Sequence, residues 1–146
     1  MPVAVGPTVL ENGARQNMDS LVGAWVLEDF TLTGEGTVVH PLGKRPSGVL
    51  LYAADGWMSA LLTADPDDAS AASRFDEMAD GTVAYAGRWE READGPVVHH
   101  VQTSHYTPWN GTPLIRDVRF SPGRLDLTAA GPDESVLLLR WRRADA

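Results

Sequence analysis

The feature that most constrains the fold is a series of short strand-like segments separated by turn residues. Eight segments combine alternating polarity with β-branched and aromatic residues, which is typical of strands. Asp55-Gly56 and Asp94-Gly95 join neighbouring segments and are strong hairpin signals. Eight antiparallel strands in one chain of this length predict an all-β, up-and-down barrel that can hold one small ligand, with an open two-sheet sandwich as the alternative. The segments are 24–33, 47–53, 57–62, 82–91, 97–106, 114–120, 124–128 and 136–142.

One short helix, at about 66–79, is expected between the third and fourth strands. Asp65 supplies the cap, Pro66 stands at the first helical position, and acidic residues fill the first turn. Residues 1–20 are predicted to form an irregular N-terminal arm, and residues 21–146 the barrel.

Charge and composition exclude several classes of function. The chain has 20 acidic and 12 basic residues, a net charge of −8, which disfavours nucleic acid and anionic membrane surfaces as partners. It has no cysteine, so disulfides and thiolate chemistry are excluded. Neither a secretion signal nor a membrane-spanning apolar stretch is recognisable, so a cytoplasmic protein is expected. Arginine outnumbers lysine and alanine is abundant, which suggests a high-GC bacterial genome.

Strand alternation predicts which side chains face the barrel interior. Symmetric pairing across Asp94-Gly95 groups the larger aromatic residues with neutral polar ones, and this set is assigned to the interior. It comprises Tyr85, Gly87, Trp89, Arg91, Val98, His100, Gln102, Ser104 and Tyr106. Pairing across Asp55-Gly56 gives two apolar sets, and the choice between them stays open. One holds Leu50, Tyr52, Trp57, Ser59 and Leu61, and the other holds Val49, Leu51, Met58, Ala60 and Leu62.

Two charged residues are also predicted to point inward. Arg116 alternates in phase with three apolar neighbours, and Asp29 alternates in phase with Trp25. Isolated buried charges cost several kcal/mol, so these two should pair with each other or meet a polar ligand in a wet cavity.

The two ends of the strand series suggest how the barrel closes. Gly23-Ala24-Trp25 opens the first strand, and Arg140-Trp141-Arg142 closes the last one. A Gly-x-Trp motif with an arginine from the final strand is typical of the closed end of a lipocalin-type barrel. Trp25 is therefore predicted to stack with Arg140 or Arg142 as a structural plug.

With these segments placed, the sequence resembles the bacterial lipocalin-like domain family. The matching stretches are 21–25, 40–44, 48–60, 85–90 and 98–101, the last running on to 109–111. The resemblance implies a compact eight-stranded barrel with a central pocket. Similar small barrels include binding proteins and cofactor-free cyclases and isomerases, such as allene oxide cyclases and spirotetronate cyclases, so the fold does not choose among these functions.

Candidate catalytic residues follow from the predicted interior. His100 is the preferred general acid or base, with Tyr85 as a further acid, base or hydrogen-bond donor. Arg116 could stabilise an enolate, carboxylate or phenolate. No cofactor is expected, since the chain has no Gly-rich phosphate loop. No metal is expected either, because His99 and His100 face opposite sides of one strand, and His99 and His105 lie roughly 20 Å apart along it.

The predicted function is that of a cofactor-free enzyme of secondary metabolism. It would bind a hydrophobic, polyketide-like small molecule and promote cyclisation, isomerisation or dehydration. A non-catalytic small-molecule carrier is the alternative, and a filled core that serves only stability or association is a third possibility. A homodimer is left open. The predicted ligand-binding residues are Asp29, Tyr52, Trp57, Ser59, Trp89, Gln102, Tyr106, Trp109 and His40.

Overall fold

A computed structural model of the chain describes residues 21–68 and 75–144. Its strands are β1 (Gly23–Gly34), β2 (Thr37–Val39), β3 (Ser47–Tyr52), β4 (Trp57–Thr63), β5 (Thr82–Arg91), β6 (Val97–Ser104), β7 (Pro113–Ser121), β8 (Arg124–Ala130) and β9 (Val136–Arg143). All pairings are antiparallel, and β1 pairs with β9, so β1 and β3–β9 close an eight-stranded barrel. The short strand β2 pairs with the C-terminal end of β1, whereas β3 pairs with the N-terminal end of β1. The predicted up-and-down barrel is confirmed, and the predicted arm over 1–20 lies outside the described residues.

The described ends of the predicted helix over 66–79 are not α-helical. Asp65 is buried, and its Oδ1 accepts the backbone N–H of Asp67 at 2.9 Å, which makes a tight turn. A single 3-10 turn, Asp76–Met78, precedes β5, and residues 69–74 lie outside the described part of the chain. At the start of the segment, the aspartate therefore caps a turn rather than the predicted helix.

Both Asp-Gly hairpins have an odd number of loop residues. Tyr52 pairs with Met58, and the Ala53 N–H donates to the Trp57 carbonyl at 2.8 Å, which leaves a three-residue loop that ends at Gly56. Gly56 has φ +98°, the left-handed conformation that such loops require. Arg91 pairs with Val97, so residues 92–96 form the second loop. Each loop shifts the pairing by one residue from the symmetric two-residue turn that the sequence suggested.

Two β-bulges change which side chains of a strand face the barrel interior. The β5–β6 pairing shifts register beside Gly87, where a Cβ atom would lie 1.9 Å from the His100 carbonyl oxygen, so only glycine fits. The β1–β9 pairing shifts at Glu28. Trp25 and Leu27 face inward before that bulge, and Phe30 faces inward after it.

Trp25 closes one end of the barrel, as predicted, but its arginine partner is a different residue. The Arg143 guanidinium lies 3.9 Å from the Trp25 ring centre, and its Nη1 donates to the Val22 carbonyl at 2.8 Å. Arg140 and Arg142 are exposed. The inward residues of β9 have odd numbers, as the burial of Trp141 shows, so neither predicted arginine can reach Trp25.

Candidate functional site

The barrel interior contains a cavity of about 640 Å³. This volume is within the range of small-molecule sites. Apolar side chains from most strands form its wall, and they include Phe30, Leu32, Leu50, Ala60, Leu62, Val83, Leu114, Leu127, Leu137, Leu139 and Trp141. Hydrogen-bonding groups on the wall are concentrated at Tyr85, His99 and Arg116, while Asp76 and Glu77 line it from the 3-10 turn.

His99 lies between two tyrosine hydroxyls and is hydrogen-bonded to both. Its Nε2 is 2.6 Å from the Tyr52 hydroxyl oxygen, and its Nδ1 is 2.6 Å from the Tyr85 hydroxyl oxygen. The three residues come from β3, β5 and β6, and each is on the inner face of its strand. Trp89 packs edge-on against Tyr52, with ring centres 5.1 Å apart, and its Nε1 donates to the Ala53 carbonyl. Packing and hydrogen bonds therefore hold this triad in place.

Burial keeps all three members of the triad uncharged at neutral pH. Burial lowers the pKa of His99 to about 3, and the charges of Arg116 and His100 act in the same direction. Burial raises the pKa of Tyr85 to about 12, partly opposed by Arg116. It also raises the pKa of Tyr52 well above its ordinary value, with a further contribution from Tyr85. Since a general acid or base works best with a pKa near the operating pH, the triad is suited to hydrogen bonding rather than to proton transfer.

Arg116 faces inward, as the alternation along its strand predicted. It lies on β7, lines the cavity, and donates from Nη1 to the Ile115 carbonyl at 3.1 Å. It forms no ion pair with any residue in 21–68 or 75–144. Its positive charge influences Tyr52, Tyr85 and His99 together.

Several of the predicted site residues do meet at the cavity. Tyr85, Arg116 and Trp109 line it, and Tyr52 and Trp89 are inward-facing residues that support His99. The Trp109 ring stands edge-on to Tyr85 at 5.9 Å, and Tyr106 packs on Trp109 at 5.5 Å without lining the cavity.

The predicted inward orientation of His100 and Gln102 is wrong. Both are exposed on the outer face of β6, and the His100 Nε2 lies 3.4 Å from a Glu90 carboxylate oxygen at the surface. The reason is that the loop before β6 has an odd number of residues, so Val97, His99 and Val101 face inward instead.

Trp57, Ser59 and Asp29 are also placed outside the cavity. The three-residue loop mixes the two sets considered for β3 and β4, so the inward residues are Leu50, Tyr52, Met58, Ala60 and Leu62. Trp57 is an outer residue that stacks under the Arg88 guanidinium at 4.4 Å. Asp29 follows the β1 bulge and faces outward, where its carboxylate lies 3.7 Å from His40 Nδ1. His40 is off the cavity wall, although the adjacent Pro41 lines it.

Among the titratable residues that line the cavity, three were not identified from the sequence: His99, Asp76 and Glu77. Symmetric pairing across Asp94-Gly95 places His99 on the outer face, and only the length of the loop before β6 shows that His99 faces inward. Asp76 and Glu77 fall within the predicted helix over 66–79, where nothing in the sequence indicates that they face the cavity. Within the described residues, no group of three or more His, Cys, Asp and Glu side chains could hold a metal ion.

No helix in the described part of the chain has the length and apolar character needed to cross a lipid bilayer.

The fold and its interior cavity define a lipocalin-like barrel, and barrels of this class indicate small-molecule binding. The chain belongs to the lipocalin-like domain family, whose family model matches residues 22–144. A solved structure described as a redesigned β-barrel is similar over 86% of this chain and 93% of that chain, at 14% identity and a TM-score of 0.45. No curated protein matches the sequence.

Proposed function

We propose that this protein binds a hydrophobic small molecule inside its barrel. The observation that carries the proposal is the cavity of about 640 Å³, whose wall is apolar except for a few hydrogen-bonding groups. Burying apolar ligand surface there contributes about 25 cal/mol per Å², and the polar groups orient the ligand.

A neutral apolar fluorophore tests this proposal. N-phenyl-1-naphthylamine should bind the wild-type protein saturably at one site, with an increase in fluorescence. Ala60 faces the cavity, whereas the adjacent Ser59 is exposed on the outer face of β4. Ala60→Trp should therefore reduce binding at least tenfold, and Ser59→Trp should leave it unchanged.

A second cavity variant guards against misfolding of the first. Ala129 lines the cavity and is only half-buried, so Ala129→Trp should be tolerated and should also block the probe. Circular dichroism would confirm the fold of each variant. The proposal is wrong if the wild type shows no saturable binding, or if both folded cavity variants bind the probe as well as the wild type does.

A second candidate function is cofactor-free catalysis on a bound carbonyl compound. The observation that favours it is the neutral Tyr85 hydroxyl beside His99, since such a donor can stabilise an oxyanion that forms from a carbonyl. A base would remove the proton next to the carbonyl, and Asp76 and Glu77 are the carboxylates that line the cavity among the described residues. Isomerisation, cyclisation and dehydration can all pass through the resulting enolate.

Exchange of hydrogen for deuterium in 2-tetralone would test catalysis. In D₂O the base would take the carbon-bound proton, Tyr85 would hydrogen-bond the enolate oxygen, and a deuteron would return to the carbon. Wild-type protein should accelerate exchange above the buffer rate, and Tyr85→Phe should lower the acceleration by about 10²-fold. His100→Ala, on the outer face, should retain it. Exchange at the buffer rate with bound 2-tetralone would exclude this catalysis and leave the binding proposal standing.

A further inference from the structure

The triad contains one more hydroxyl proton than it can use internally. A neutral histidine has one N–H donor and one acceptor nitrogen. His99 can therefore accept a proton from one tyrosine and must donate to the oxygen of the other. The second tyrosine keeps a free O–H, and its position depends on which nitrogen of His99 is protonated.

Burial decides between the two tautomers. The Tyr52 side chain is only 2% exposed, and its hydroxyl has His99 as its sole hydrogen-bond partner among the described residues. An unpaired O–H there would cost about 1–3 kcal/mol. Tyr85 lines the cavity, where a ligand can accept its proton. The lower-energy arrangement has Tyr52 donating to Nε2, the His99 Nδ1–H donating to Tyr85, and the Tyr85 O–H left for the cavity.

Arg116 adds a second donor next to the triad, because it pairs with Val97 on β6, two residues from His99 on the same inner face. Its guanidinium carries five N–H groups, accepts no hydrogen bonds, and is always charged. One N–H is used by the Ile115 carbonyl, and no described acidic residue pairs with it. This part of the cavity therefore offers donors and a positive charge.

Resting on the proposed binding function, we infer that the ligand is an amphipathic anion: an apolar body with one carboxylate, enolate or phenolate oxygen held by Tyr85 and Arg116. Tyr52 and His99 act as positioning residues, because they orient the Tyr85 proton toward the ligand. Charge-assisted hydrogen bonds of this kind are roughly twice as strong as neutral ones.

A matched pair of fluorescent probes tests the ligand class. 1-Pyrenebutyric acid and 1-pyrenebutanol share an apolar body and differ in the anionic group. The acid should bind at least tenfold more tightly than the alcohol. Arg116→Met should remove most of this preference and leave the affinity for the alcohol nearly unchanged. Arg119→Met, which removes the same charge from the exposed outer face of β7, should preserve the preference.

The possible outcomes separate the two proposals. If the alcohol binds as tightly as the acid, the barrel binds small molecules but the inferred ligand class is wrong. The inferred class is also wrong if the preference survives Arg116→Met and Tyr85→Phe. If neither pyrene compound nor the neutral naphthylamine binds, both proposals fail.

The position of the His99 proton can be measured directly. Nitrogen-15 NMR of histidine-labelled protein at pH 7 should show a protonated Nδ1 and an unprotonated Nε2 for His99. His99→Gln would identify the signal, and His100→Gln would serve as the control for the adjacent outer residue. A protonated Nε2 would overturn the inferred direction of the Tyr85 hydroxyl.

Discussion

Two adjacent histidines on β6 occupy opposite environments. His99 is 1% exposed and bonded to two tyrosines, whereas His100 lies on the outer face beside Glu90. They differ by one position in the chain, and strand alternation puts them on opposite sides of the barrel wall. The comparison shows that residue type alone does not make a site, because the same imidazole is a buried, neutral hydrogen-bonding group in one position and a surface group in the next.

The largest expected difference between the two positions is in how the free energy of unfolding changes at acid pH. The pKa of His99 lies near 3 in the folded protein, against an ordinary value of 6.5. The unfolded chain therefore takes up a proton below pH 6.5 that the folded chain refuses, and stability present above pH 6.5 is lost as the pH falls toward 3. The loss attributable to His99 is roughly 5 kcal/mol.

Urea denaturation from pH 7 to pH 3.5 would measure this loss. His99→Gln should flatten the pH dependence relative to the wild type, because glutamine does not titrate. His100→Gln should follow the wild-type curve. Parallel curves for the wild type and His99→Gln would show that His99 is not protected from protonation.

Replacing each histidine by leucine should also show, at neutral pH, that His99 contributes to stability and His100 does not. His99→Leu leaves two tyrosine hydroxyls without their partner, and the expected cost is about 2–4 kcal/mol of unfolding free energy. His100→Leu, at an exposed position, should change stability by less than about 0.5 kcal/mol. Adding Tyr52→Phe to His99→Leu should recover part of the loss, because the buried unpaired hydroxyl is then removed. Equal costs for the two leucine variants would contradict the assigned faces.

The closed end of the barrel provides a second pair of neighbours for the same test. Arg143 stacks on Trp25 and donates to the Val22 carbonyl, while Arg142 is exposed. Arg143→Met should lower the unfolding free energy by about 1–2 kcal/mol, and Arg142→Met by less than about 0.5 kcal/mol. Thermal denaturation would rank the two, and a larger loss for Arg142→Met would refute the plug.

The smallest expected effect concerns the loop that sets the faces of β6. Ala93 has φ +44°, a left-handed conformation that is strained for alanine. Ala93→Gly should stabilise the protein by about 0.5 kcal/mol, because glycine adopts this conformation freely. Ala54, in the other hairpin loop, has no positive φ, so Ala54→Gly should destabilise the protein slightly. Urea denaturation would detect both changes, and the same sign for both would contradict the assignment of strain to Ala93.

The strands, their order and the closed barrel were predictable because each depends on local composition and short connections. The orientation of Arg116 was predictable too, since its strand alternates without a bulge. The orientations of His100, Gln102 and Asp29 were not. His100 and Gln102 follow a loop with an odd number of residues, and Asp29 follows a bulge. Neither the loop length nor the bulge has a clear signal in the sequence.

The sequence alone determined an antiparallel barrel closed at Trp25, because alternating apolar residues and turn signals act over short distances. Only the tertiary structure decided that His99, rather than His100, joins Tyr52 and Tyr85 at the cavity. One additional loop residue reverses the face of every side chain up to the next bulge, and the energy that selects the loop comes from packing across the whole barrel. The triad joins residues from three strands, so no local pattern in the chain could have shown it.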